Sequence, residues 1–332
     1  MILWIIDTHI SRKEYFVETS EKIIIRSYVA DLFTSQISYL ENQIEGIVYD
    51  GNIEFLHHTR VMSRRIRNTL TVFSPFIGKK TSKRWFISFK KLTKSLTKER
   101  DLDVQIAFLE KEISNISEQK YLTGLQRLLL RKQQLREKKQ NGVKQSILNF
   151  EKEKTLTEIQ LFIDNNPFDT ESFSLPNELK RLSYLEIEKL TKICFSYVPF
   201  ITSPDNTEAL HSLRIAMKNL RYTTELFNPI YPQLDSFIST MKKFQDDLGE
   251  IHDYDVWLTD LDSFLDEEKQ RINKFYGQAG PFNFIKPGIT YLIDEIKNRK
   301  IKIHEKFLER WNEQFQNQFW SNLRIIFENF DN

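Results

Sequence analysis

The sequence predicts an all-α fold, and three observations carry that expectation. Glycine occurs only 9 times in 332 residues, about 3% against a usual ~7%, and proline also only 9 times, which leaves few tight turns for a sandwich, a barrel or a Rossmann sheet. Charged residues make up 28% and hydrophobic ones 40%, with Leu, Ile, Lys, Glu and Gln prominent, a mixture that suits long amphipathic helices around a packed core. Finally, cationic and apolar residues recur at helical spacing, and the pattern occurs twice. A length of 332 residues allows two or three domains.

Taken in order, residues 1–26 read as an N-terminal extension. Weak alternation at Tyr15-Phe16-Val17 and Ile23-Ile24-Ile25 predicts a small hairpin within residues 1–25. The apolar run Met1-Ile2-Leu3-Trp4-Ile5-Ile6 has no positive lead and is too short for a signal or a membrane span. Together with a single cysteine, this predicts a soluble protein of the reducing cytoplasm without membrane partners. From His57 to Arg67 the chain reads as helix. At 100° per residue, His57, Arg60, Arg64 and Arg67 fall within about 80° of arc and form a stripe about 15 Å long. Met62, Ile66, Leu70 and Phe73 occupy the opposite, packing face, while Arg65 falls between the two and His58 points about 100° away, toward packing or surface. Twelve Lys or Arg and no acid lie between His57 and Lys98, whereas the other 290 residues carry 36 basic and 46 acidic groups. Such asymmetry implies a polyanionic partner.

Further along, Arg127, Arg131, Lys132, Arg136, Lys138 and Lys139 run around most of a helix over Gln126–Lys139, which predicts an ordinary exposed surface. Polar, turn-rich Asn165–Ser172 is the natural connection between two halves. Cys194, within Ile193-Cys194-Phe195, is expected to be a buried thiol, and His9 and His304 belong to no motif.

A search for internal similarity gives the strongest signal. His57-x-x-Arg60-x-x-x-Arg64-x-x-Arg67 recurs 154 residues later as His211-x-x-Arg214-x-x-x-Lys218-x-x-Arg221, and the packing positions Met62, Ile66 and Phe73 return as Ala216, Leu220 and Phe227. A second block follows at an offset of 152. There Lys90-Lys91-Leu92, Leu96 and Arg100-Asp101-x-Asp103-Val104 become Lys242-Lys243-Phe244, Leu248 and His252-Asp253-x-Asp255-Val256. The chain therefore reads as two homologous helical halves, residues 27–166 and 175–332, joined by a linker at 167–174.

With these motifs in view, the sequence resembles the CHAD domain family, an α-helical domain named for its conserved histidines. His57-x-x-Arg60-Val61 with Arg64-Arg65-Ile66-Arg67 is similar to the first-half signature, Arg100-Asp101-Leu102-Asp103-Val104 to the family's RDxDV turn, and Leu210-His211-x-x-Arg214 with Leu220-Arg221-Tyr222 to the second-half signature. The resemblance implies two four-helix bundles related by a pseudo-twofold, with the basic stripes facing a central cavity that binds inorganic polyphosphate. Carried over residue by residue, it gives His57, Arg60, Arg64, Arg65, Arg67, Lys90 and Lys91 in one half and His211, Arg214, Lys218, Arg221, Lys242 and Lys243 in the other. The chain departs from the stronger pattern at Lys218-Asn219, where the first half has Arg64-Arg65, and at Thr97-Lys98, where the second half has Gly249-Glu250. Some relatives carry a triphosphatase module marked by E-x-E-x-K. Glu186-Ile187-Glu188-Lys189-Leu190 and Glu151-Lys152-Glu153-Lys154-Thr155 both miss that spacing, so the activity is not implied.

A phosphate polymer is bound by Arg forks and Lys point charges along a groove, with release of counterions. The duplicated stripes supply such charges. RNA is the rival polyanion, but the stripes lack interleaved aromatics for base stacking and the basic helix lacks Asn or Gln suited to base edges. A metal-dependent phosphohydrolase built on His211, His252, Asp253 and Asp255 is the enzymatic alternative; against it, the repeat partner of His252 is Arg100, which cannot ligate a metal. No nucleophile elbow or phosphate-cradling glycine loop occurs, so the expectation is a binding module without cofactor or metal. Storage, targeting to polyphosphate granules and regulation of a partner all remain open as consequences of binding.

Overall fold

The computed structural model describes residues 6–49 and 53–328, and among these no strand occurs. Twelve helices follow in order: α1 (Ile6–Tyr49), α2 (Ile53–Val72), α3 (Ser74–Ile77), α4 (Lys79–Ser95), α5 (Thr97–Asn115), α6 (Gln119–Lys152), α7 (Thr155–Asp164), α8 (Asn177–Ser196), α9 (Thr207–Phe227), α10 (Asp235–Tyr276), α11 (Lys286–Gln316) and α12 (Phe319–Glu328). Three short 3-10 turns complete the connections.

The hairpin expected within residues 1–25 does not form: residues 6–25 are the first turns of α1, and residues 1–5 lie outside the described part. Local alternation loses to the longer helical period. Ile25, Tyr28, Val29, Leu32, Phe33, Gln36, Ile37, Leu40, Ile44 and Ile47 recur at three- and four-residue steps and are all buried, while Ile23 on the opposite side is exposed. One helix thus runs straight through residue 26.

Two sets of helices emerge. In the first, α1 packs along α2, α2 on α4, α5 on α6, and α7 returns to α1. In the second, α8 packs on α9, α9 on α10, α10 on α11, and α12 on α8. Between α7 and α8 the chain is loop, and its Phe168 and Phe173 rings pack on Tyr28. Each set has its own aromatic nucleus, Phe33–Trp85–Phe162 in one and Phe244–Phe307–Trp311–Trp320 in the other. Burying a side chain of this size stabilises the fold by about 1.5–3 kcal/mol.

The sets meet along two seams. At one, α2 lies against α9, where the Phe73 and Phe227 rings pack at a tilt of 59° with centroids 5.9 Å apart and the Asn68 amide donates to Thr223 Oγ1 at 3.1 Å. At the other, α6 crosses α11 at Gly124 and Gly288. A Cβ on Gly124 would sit 2.2 Å from the Ile285 carbonyl oxygen, and one on Gly288 would sit 2.1 Å from that of Tyr121. Only glycine permits so close an approach.

The basic stretch expected to be exposed surface instead belongs to the contact between the sets. Arg127 and Arg131 of α6 reach the fully buried Glu268 of α10 at 2.6 and 3.3 Å, and Lys132, itself buried, pairs with Asp260 at 2.5 Å. Its charges surround the helix because acidic partners on another helix await some of them. Cys194 is buried as expected, and burial pushes its thiol up to about 12.

Candidate functional site

The cationic stripe of α2 exists as periodicity implies, because Leu56, Met62, Ile66 and Leu70 turn the opposite face into the core. His57 stands at its N-terminal end beside Arg100 of α5. Burial, followed by the Arg100 guanidinium, holds the His57 ring below the usual histidine range, with Glu54 acting the other way. Arg100 is itself tied to Glu54 at 3.5 Å. Arg60 has only 11% of its side chain exposed and donates to Asp101 Oδ1 at 3.4 Å. Its guanidinium is lowered mainly by burial, and Arg64 and Arg100 add repulsion. Arg67 donates to the Ser63 carbonyl at 3.4 Å and lies 5.5 Å over the Phe86 ring of α4.

The α9 stripe is positioned by Leu210, Leu213, Ala216, Met217 and Leu220, all buried. His211 Nδ1 lies 3.1 Å from His252 Nδ1 of α10, so one ring must donate and the other accept. Burial, then the charges of Arg214, His211 and Lys218, hold His252 down to about 4. Arg214 packs near Gly249 and faces Asp253. Lys218 is pushed down to about 8 by burial and by Arg64, Arg214 and Arg67 in turn.

Those last influences cross between helices. Arg64 of α2 acts on both Arg214 and Lys218 of α9, and Arg67 acts on Lys218. Side chains 154 residues apart in sequence thus join one cluster of repelling cations. The structure brings together His57, Arg60, Arg64, Arg67, His211, Arg214 and Lys218.

Six other candidates lie elsewhere or are otherwise engaged. Arg65 turns to Glu225 of α9 at 3.2 Å and lies over Tyr222. Arg221 is buried, donating to Gln245 Oε1 at 2.7 Å and pairing with the same Glu225. One carboxylate therefore bridges arginines of two helices, and both serve the seam. Lys90 is exposed on α4, Lys91 pairs with Glu153 at 2.9 Å, and Lys242 and Lys243 are exposed on α10.

Arg100 and His252 stand with this cluster although the sequence reading left both out of the phosphate-binding set, weighing His252 only as a metal ligand, even with the 152-residue repeat aligning them. The motif resembling a turn is helical in both copies, at the start of α5 and within α10, and its aspartates hold fixed posts. Asp101 meets Arg60 and Asp253 faces Arg214; Asp103 pairs with Arg136 of α6 at 2.6 Å, and Asp255 with Lys300 of α11, also at 2.6 Å. With Asp255 held by a lysine and His252 amid cations, no three His, Cys, Asp or Glu side chains among the described residues converge to hold a metal. Nor is any described helix long and apolar enough to cross a membrane.

Comparison with known proteins adds the following. The family model described as the CHAD domain matches residues 31–262. No curated protein sequence matches the chain. Two solved structures share the fold. The crystal structure of the CHAD domain from the plant Ricinus communis is 18% identical with a TM-score of 0.59, covering 83% of this chain and 86% of its own. PptA from Streptomyces chartreusis is 14% identical with a TM-score of 0.62, covering 88% and 99%.

Proposed function

The chain belongs to the CHAD domain family, and from that premise we propose that it binds inorganic polyphosphate as a cytoplasmic binding module rather than as a catalyst. The observation that carries this reading is the convergence of Arg64 and Arg67 of α2 with Arg214 and Lys218 of α9, where burial first and the neighbouring guanidiniums second bring the lysine down to about 8. A fold that concentrates positive charge at this cost needs an anion to relieve it. Buried Nε donors of Arg60 and Arg100 without a protein partner support the same reading.

The ligand is a polymer because the cations extend for more than one phosphate: the α2 stripe from His57 to Arg67 is about 15 Å long and the α9 stripe from His211 to Lys218 about 10 Å. The two halves, residues 27–166 and 175–332, contribute one stripe each. A pseudo-twofold between them is supported by contacts of equivalent residues with each other. Phe73 touches its counterpart Phe227, Arg64 acts on its counterpart Lys218, and Gly124 meets Gly288. Such self-matching contacts are the mark of an isologous interface. The glycines stand 164 residues apart, as do Arg136 and Lys300, so α6 and α11 extend the repeat past an insertion in the second half.

The test is titration with long-chain polyphosphate, RNA and a sulfate polymer in parallel at fixed salt. Polyphosphate should bind tightest, with an affinity that falls steeply as salt rises. Equal or tighter RNA binding, or an affinity indifferent to salt, overturns the reading. Metal-dependent release of phosphate by the pure protein would overturn the binding-only part of it.

A further inference from the structure

Helix α4 carries a second, external cationic surface. Trp85, Phe89 and Leu92 bury its inner side, whereas Lys79, Lys80, Lys83, Arg84, Lys90, Lys91 and Lys94 are all exposed and no acid interrupts them. Over about 22 Å of helix these residues fan across the whole outer face. Arg84 and Lys91 are partly neutralised by Glu158 and Glu153. Lys79, Lys80, Lys83, Lys90 and Lys94 have no ion-pair partner among the described residues. A cleft of about 550 Å³ opens along this face, with Lys80, Lys83, Arg84 and Lys91 in its walls.

This surface is continuous with the α2–α9 cluster. Arg67, the last cation of the α2 stripe, lies over Phe86 of α4, and Lys83 and Lys90 flank Phe86 one turn to either side on the same edge. The second copy has no equivalent, because around Lys242 and Lys243 the α10 sequence carries Asp235, Asp246, Asp247 and Glu250.

We propose that the outer face of α4 is a track for the part of a long polyphosphate chain that leaves the α2–α9 cluster past Arg67. The proposal rests on the polyphosphate reading above and adds a length dependence to it. A short chain is held by the cluster alone, whereas a long chain also gains the α4 lysines as an intramolecular second contact. The chain therefore leaves on one side of the molecule only.

The experiment replaces Lys79, Lys80, Lys83 and Lys94 together with Gln, a good helix former, none of the four belonging to the cluster. A control quadruple replaces the exposed Lys138, Lys144, Lys297 and Lys302 with Gln. Affinities for tripolyphosphate and for long-chain polyphosphate are measured across a salt series. The α4 variant should lose roughly tenfold for the long chain, its salt slope should fall by about 3, and tripolyphosphate should bind as before. Long-chain affinity and slope that stay unchanged, or that fall equally in the control, overturn the track. So does binding to vesicles of anionic lipid that the α4 variant loses while keeping long-chain polyphosphate, since the face then serves a membrane surface. If the intact protein binds neither phosphate chain, or Arg214→Glu leaves both affinities untouched, the underlying polyphosphate reading fails instead.

Discussion

The two copies of the repeat keep the same scaffold and diverge in the charges it displays. In both, the first aspartate of the motif faces the first arginine of the stripe, Asp101 with Arg60 and Asp253 with Arg214, and the second holds a cation on the next long helix, Arg136 or Lys300. On the displayed side, the first copy presents Arg64 and Arg100 where the second presents Lys218 and His252. Arginine stays charged in proteins, whereas lysine and histidine respond to their surroundings. The first copy thus keeps permanent charge at two positions where the second has groups whose charge depends on pH and on what is bound.

The comparison breaks most visibly at Arg64, the residue of the first copy that acts on two residues of the second. Arg64→Glu should weaken long-chain polyphosphate by roughly a hundredfold, about 2.7 kcal/mol, more than Arg60→Glu or Arg214→Glu does alone. Calorimetry should give one site in the wild type and no spared tight site in any single variant. A retained tight site after Arg60→Glu or Arg214→Glu would mean that the copies bind independently.

Next in size is the shared scaffold. Asp255→Asn leaves the Lys300 ammonium buried without its carboxylate and should cost about 2 kcal/mol of folding stability; Asp103→Asn should cost a similar amount through Arg136. Urea denaturation of both variants checks the equivalence, and a difference above about 1 kcal/mol would show that the posts have diverged as well.

The alkaline response should belong to the second copy alone. Free protein loses the Lys218 proton near pH 8, while a bound polyanion retains it, so affinity should fall by roughly tenfold between pH 7 and pH 9.5. Folding has the opposite sign. The unfolded chain keeps this proton up to about 10.5, so without ligand the cost of burying the charged Lys218 is fully present below pH 8 and is relieved as pH rises from about 8 to 10.5, where stability increases. Lys218→Arg should flatten the binding profile; an unaltered slope would assign it to other groups. Smallest is His252→Arg, which copies Arg100 into the second half and should tighten binding about threefold at pH 7, where His252 is otherwise neutral. No gain in isothermal titration would show that the His211–His252 pair serves another purpose.

What the sequence made legible follows from the range of each interaction. Helix periodicity and a fixed repeat offset identified the α2 and α9 stripes, because the first depends on residues a few positions apart and the second only on comparing the sequence with itself. They could not foresee that Arg131 and Lys132 meet Glu268 and Asp260, which lie more than a hundred residues away on α10. Arg221 is a different case. Its partner Glu225 lies four residues on, a spacing that can be read directly, yet the motif drew it toward the ligand. Arg65 fell between the two faces of its helix, and its partner is that same Glu225. The Gly124–Gly288 crossing went unnoticed because an insertion moved it from an offset of 152 to one of 164.

If the two halves are related by the proposed pseudo-twofold, that relation also constrains the shape of what binds between them. A site straddling such an axis offers an incoming strand nearly the same environment whichever end enters first. A linear phosphate polymer is built from identical units and reads alike in both directions, so it has no wrong orientation to discard. RNA has a 5′ and a 3′ end, and on this axis its sugars and bases would face inequivalent surroundings from one half to the other. Arg64 opposite Lys218 would leave such an axis inexact, by the difference between a planar fork and a point charge.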